Sequence, residues 1–264
     1  MNVTAPDGVE IVYSAAGTGE TALVFIHGGL ADRTFFDGQL DAFSDRYRVI
    51  AIDLAGHGES GKQRDPWTIQ RAGEDVAQVV RAENPRRVIL FGNSLGGPVA
   101  IEAALLLPER ALGVVGIDTF QDLGYTDTPE LAKQLADMIR QRAEAFGRDF
   151  AGATHAMVAM LFHADADPEL MRDAERRMLR TPQDAVLRMF RGMTGYNTNN
   201  AARRLTVPLR SINGDLFPTD IDRIRTVKPD FDAIVMKHMG HYPMLERPDE
   251  FNQHVARVAG DLAR

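Results

Sequence analysis

The sequence predicts an α/β protein, a mostly parallel sheet with helices on both faces, interrupted by a helical insert. Three observations carry this. Short apolar runs ending in Gly- or Asp-rich loops alternate with helical stretches through the first 120 residues. From about Phe120 to Arg204 the pattern turns helical, with no convincing strand. Strand rhythm then resumes at Leu209. Alternating strands and helices imply parallel pairing through right-handed crossovers.

Val9–Tyr13 reads as a strand behind the Asp7-Gly8 turn, so the chain opens with a hairpin. Ala22–Ile26, Arg48–Ile52, Arg87–Phe91 and Gly113–Ile117 read as further strands, the first three of them buried, and Val76–Ala82 and Val99–Leu107 as helices. In the insert, Leu131, Leu135, Met138, Ile139 and Phe146 fall at helical spacing, and Phe150–Phe162 is a second pattern. Asp167-Pro168 and Thr181-Pro182 set an N-cap type before a proline, which starts helices at Glu169 and Gln183. Asn197 to Asn200 reads as a loop back to the core, Leu209–Ile212 and Asp232–Met236 as strands, and a helix begins near Pro248. The expected division is core 1–120, insert 121–205 and core 206–264; roughly 85 residues are too many for a plain connection.

Composition narrows the function classes. The 264 residues are 44% hydrophobic and 25% charged, which is ordinary globular composition. A net charge of −7 without a basic run makes nucleic acid and anionic lipid poor partners. The absence of cysteine removes disulfides, thiol nucleophiles and thiolate metal sites. The start MNVTAPDGVEIVY lacks the basic and apolar regions of a signal peptide, and apolar runs such as Thr21–Ile26 fall far short of a membrane span. The expectation is a soluble cytoplasmic protein, monomer or homodimer, acting on a small molecule without metal or other cofactor.

Gly92-Asn93-Ser94-Leu95-Gly96 sits between an apolar strand and a helical stretch, the context that G-x-S-x-G requires of a nucleophile elbow. A serine in a strained turn needs small residues two positions either side. With His27-Gly28-Gly29, Asp53 to Ser60, Gly240-His241 and Glu246-Arg247-Pro248, the chain resembles the α/β-hydrolase family over nearly its whole length. The resemblance implies an eight-stranded, mostly parallel sheet, a cap domain formed by the insert, and a serine hydrolase site between core and cap.

A serine hydroxyl needs an imidazole to accept its proton. His241, late in the chain as the Ser…acid…His order demands, is the candidate base, while His27 is read as shaping its loop. The backbone N–H groups of Gly29 and Leu95 are the candidate oxyanion donors. The acid departs from the family pattern. Relatives usually carry it after the seventh strand as G-x-x-D, a spacing that puts Phe217 at that post here. Asp118, at the end of the sixth strand, is favoured over Asp215, with Asp220 as the fallback.

Gly28, Phe35 and Tyr242 are the substrate-binding candidates, with Phe36 as a further wall residue and Trp67 unassigned. Seven of the eleven methionines lie in the insert and read first as core filler, second as a flexible lipophilic wall. The leading expectation is cleavage of a small to medium, apolar ester through an acyl-enzyme. Ser94 speaks against the family's haloalkane dehalogenases and epoxide hydrolases, which use aspartate there. Carbon–carbon bond hydrolysis, cofactor-free perhydrolase chemistry and non-hydrolytic ligand binding or signalling stay open on the same residues.

Overall fold

A twisted sheet of eight strands organises the computed structural model, which describes residues 1–125 and 128–264. In chain order the strands are β1 (Asn2–Thr4), β2 (Glu10–Ala16), β3 (Thr21–Ile26), β4 (Arg48–Ile52), β5 (Arg87–Asn93), β6 (Ala111–Ile117), β7 (Leu209–Asn213) and β8 (Asp232–Val235). They lie side by side in the order β1-β2-β4-β3-β5-β6-β7-β8. The β1–β2 hairpin forms around Asp7-Gly8, and β2 runs antiparallel to β4; every other pair is parallel. Central strands of a parallel sheet are covered on both faces, so they are apolar without alternation. Leu23, Val24, Phe25 and Ile26 of β3 are accordingly all fully buried.

The chain moves one way along the sheet from β3 to β4, then back past β3 to β5 and β6. Right-handed crossovers with that reversal put α1 (Asp37–Phe43) on one face and α2 (Ile69–Glu83) and α3 (Gly96–Leu105) on the other. The packing agrees: α2 lies against α3, and α1 against the last helix, α11 (Pro248–Leu262). A reversal of this kind opens a crevice beyond the carboxyl ends of the strands, here at β3 and β5.

Between β6 and β7 the described residues contain five helices and no strand: α4 (Pro129–Arg148), α5 (Phe150–Leu161), α6 (Pro168–Met178), α7 (Gln183–Met193) and α8 (Thr198–Arg204). The anticipated 121–205 insert includes residues 126 and 127, which lie outside the described residues. Asp167 and Pro168 start α6 as expected, with the Asp167 carboxylate accepting from the Glu169 N–H. The Asn197–Asn200 stretch differs from its reading as a loop. The Asn197 side chain accepts from the Asn200 N–H and starts α8, because an asparagine that breaks a helix interior also caps a helix start.

The insert rests on loops at the carboxyl ends of the strands. The Thr181 hydroxyl donates to Leu30 O (3.0 Å), Arg188 reaches Lys62 O (2.6 Å), and the His241 N–H donates to Leu161 O (2.8 Å). The short helices α9 (Ile221–Arg225) and α10 (Pro243–Glu246) complete the chain.

Candidate active site

β5 delivers the chain to Ser94, which sits in the left-handed region at φ +50 before α3 begins. A residue other than glycine held there costs on the order of 1–3 kcal/mol and persists only where its surroundings fix it. They do so here: the Ser94 N–H donates to Ile117 O (3.1 Å), and Ser94 O accepts from the Gly97 N–H (2.9 Å) and the Thr119 hydroxyl (3.1 Å). The turn is so tight that a Cβ on Gly92 would lie 2.1 Å from Gly96 O, and one on Gly96 2.3 Å from Ile26 O.

The His27-Gly28-Gly29 loop after β3 lies beside this turn; a Cβ on Gly28 would come within 3.2 Å of the Ser94 Cβ. On its outer side a Cβ on Gly29 would meet the Met189 methyl at 3.2 Å, so α7 of the insert covers the loop. His27 holds the loop's shape. Its Nδ1–H donates to Gly28 O (2.7 Å), and its Nε2 accepts from the Leu54 N–H (3.0 Å), which fixes a neutral tautomer. Burial keeps this imidazole well below the usual histidine range, and it pushes the neighbouring His57 down to about 3.

Asp118 follows β6 directly, at φ +44 and buried. One carboxylate oxygen accepts from the Gly214 N–H and the Gln121 amide, each at 3.0 Å. The other accepts from His241 Nδ1–H at 2.5 Å. The pair is out of water, with side-chain exposures of 0% for Asp118 and 10% for His241. Asn93, next to the serine, donates its amide N–H groups to Ile117 O (2.9 Å) and to His241 O (3.1 Å). The turn at Ser94, the end of β6 and the loop bearing His241 are thus joined through one side chain.

Asp215 is placed elsewhere. Its carboxylate accepts from the Met239 N–H (3.2 Å) and faces His163 Nε2 (3.3 Å), and it is held below the usual carboxylate range by the Met239 N–H and then by its other donors. Asp220 caps α9. Phe217 does stand against His241, ring centroids 6.5 Å apart and nearly perpendicular.

A cavity of about 180 Å³ opens beside Ser94 and Leu95, walled by residues that include Phe120, Ile139, Met138 and Met193. Of the substrate-binding candidates, Phe35 and Tyr242 are not part of this wall. They are buried against each other, ring centroids 5.6 Å apart, and Tyr242 also packs on Phe162. Phe36 is packed on Phe25, and Trp67 is buried with its indole N–H on Ala55 O (3.0 Å). The methionines divide between the two readings: Met138 and Met193 line the cavity, while Met178 and Met189 are core. Sequence reasoning missed Asp122 and Arg142, which also line the cavity. Among the described residues, no group of three or more His, Cys, Asp or Glu is arranged to hold a metal ion.

The model of the alpha/beta hydrolase family matches residues 23–254. The chain belongs to that family. Among relatives of this alpha/beta hydrolase, the dihydrolipoyllysine-residue acetyltransferase component of the acetoin cleaving system of Cupriavidus necator is 32% identical over 126 residues. That match covers 46% of the chain and 34% of the relative, so the chain spans about a third of that protein's length. A pimeloyl-[acyl-carrier protein] methyl ester esterase of Pectobacterium atrosepticum is 24% identical over 260 residues, covering 94% of the chain and 98% of the relative. The solved structure of a thermophilic esterase from Thermogutta terrifontis superposes with a TM-score of 0.83 at 25% identity, over 99% of this chain and 98% of that one. Among the described residues of this alpha/beta hydrolase, no helix is long and apolar enough to cross a membrane.

Proposed function

We propose that this protein is a serine hydrolase that cleaves a small to medium, apolar ester through an acyl-enzyme. The observation that carries the reading is the buried His241–Asp118 hydrogen bond, set on the same loop cluster as a serine in the left-handed region. In this reading the Ser94 Oγ attacks the acyl carbon while His241 Nε2 accepts its proton. Asp118 keeps Nδ1 protonated and stabilises the imidazolium. The oxyanion forms against the N–H groups of Gly29 and Leu95, and Leu95 stands at the positive end of α3. The imidazolium then protonates the leaving alkoxide, and water, deprotonated by the same imidazole, releases the acid and frees Ser94. The helical insert acts as the cap. What supports that role is its contacts with the loops after β3, β4 and β8, and the esterase relatives favour ester cleavage.

Intact mass after treatment with a fluorophosphonate tests this on wild type and Ser94→Ala together. One adduct on wild type and none on the variant is expected. A folded wild type that takes no adduct, or a variant labelled equally, overturns the proposal.

A further inference from the structure

Glu246-Arg247-Pro248 takes no part in the acyl transfer, yet two of its side chains grip the loop that carries His241. Pro248 opens α11. Arg247 donates to Lys237 O and to His238 O (3.3 Å). Glu246, half-buried, accepts instead: Oε2 from the Gly240 N–H and Oε1 from the Tyr242 N–H, each at 3.1 Å. The cation thus takes carbonyls of the loop and the anion takes its N–H groups.

The two carboxylate oxygens straddle His241. Gly240, His241 and Tyr242 present successive N–H groups, of which the outer two go to Glu246 and the middle one to Leu161 O of the insert (2.8 Å). The peptide between His241 and Tyr242 is held at both ends, its oxygen by the Asn93 amide (3.1 Å) and its N–H by Glu246. Bonds from backbone N–H groups to a carboxylate are stronger than those between neutral groups, so this peptide resists turning. The imidazole that it carries then meets Asp118 through Nδ1–H.

Closing a helix start accounts for only half of this. α10 is four residues long with Pro243 at its first position, and Glu246 at its end returns to the Tyr242 N–H ahead of it, the reciprocal arrangement of a capping box. The bond to Gly240 lies outside that turn and contributes nothing to the helix. It also demands a glycine, since a Cβ there would stand 2.8 and 3.1 Å from the two carboxylate oxygens and 2.7 Å from Leu161 O.

We infer that Glu246 is a positioning residue for His241: its carboxylate brackets the peptides on either side and sets the imidazole where Ser94 requires it. The inference rests on the ester-hydrolase reading for the imidazole's role as base. A carboxylate accepts at both oxygens, whereas a glutamine amide has one oxygen and turns its N–H groups toward the second donor. A base displaced by about 1 Å loses on the order of 10²-fold in rate.

Glu246→Gln, of the same shape, tests this by steady-state kinetics on 4-nitrophenyl butyrate and by the proton resonance of His241 Nδ1–H, identified by its loss in His241→Gln. Expected are a kcat about 10–100-fold lower with KM within about twofold, and a shifted or broadened Nδ1–H resonance. Glu246→Asp keeps the charge but is too short to bridge both N–H groups, so it is expected to fall between the amide variant and wild type. Gly240→Ala, which crowds the carboxylate, is expected to follow Glu246→Gln. Wild-type kcat in a folded Glu246→Gln overturns the inference, as does a loss confined to KM or a fall in kcat that leaves the Nδ1–H resonance in place. Should the amide variant not fold, wild-type kcat and resonance in Glu246→Asp overturn it instead. Failure of the ester reading shows differently, as a wild type with neither turnover nor fluorophosphonate adduct. A resonance that still moves in Glu246→Gln then supports the hold on His241, and an unmoved one overturns it.

Discussion

Asp118 and Asp215 carry the same carboxylate, and their neighbours give them different tasks. Asp118 leaves β6 with a left-handed backbone, and its two oxygens divide between loop donors and His241. Asp215 ties the loop after β7 to the Met239 N–H instead. Asp118→Asn is therefore expected to lower ester kcat/KM by about 10³–10⁴-fold, because an amide neither stabilises the imidazolium nor holds its tautomer. Asp215→Asn is expected to stay within about tenfold, since an amide oxygen still accepts from Met239. Steady-state kinetics on one chromogenic ester checks both, and equal losses would remove the acid role from Asp118. Ser94 and His241 were legible because the elbow and the late Gly-His each belong to a local pattern. Between the two aspartates the sequence favoured Asp118 without excluding Asp215, because that choice depends on how the chain after β7 turns; in the structure Asp118 meets His241 and Asp215 meets the Met239 N–H.

Secondary-structure elements were readable wherever local chemistry agreed with packing. The β3, β4 and β5 runs are buried on both faces and carry no alternation, and the Asp-Pro start of α6 appears as its sequence implies. α8 was missed because Asn197 to Asn200 has a loop's composition, and only the structure shows the first asparagine capping a helix. Asn197→Ala is expected to cost about 1 kcal/mol in urea unfolding, the usual loss of an N-cap. α8 also supplies Thr198 to the wall of the cavity at Ser94, so the same variant should raise KM for bulky acyl groups more than for acetyl. No change in either quantity would mean that the cap does not hold the helix.

For the molecule as a whole, the buried histidines set the acid limit. His27 and His57 lie 5.1 Å apart, fully buried and neutral, under the loops that surround Ser94. An unfolded imidazole near 6.5 takes up protons that the folded His57, near 3, refuses. Between these values the unfolded state binds more protons, so stability is fully present above about 6.5 and is lost as pH falls toward 3. At pH 5 the loss from one such histidine is on the order of 2 kcal/mol. His57→Gln is expected to flatten the fall in stability between pH 7 and pH 5 by about that amount, whatever it costs at pH 7. Urea midpoints at the two pH values check this, and an unchanged slope would refute it.

Interchangeability of parts is limited by one bond at the edge of the insert, where the His241 N–H meets Leu161 O. The end of α5 and the loop bearing the imidazole share a backbone anchor, so neither can be replaced without regard to the other. A chimera that grafts a foreign lid onto this sheet must bring a carbonyl to that point. Without it, the loop would lose its anchor even with every residue of the sheet intact, and the graft would fail through the placement of His241 rather than through the pocket it was meant to alter.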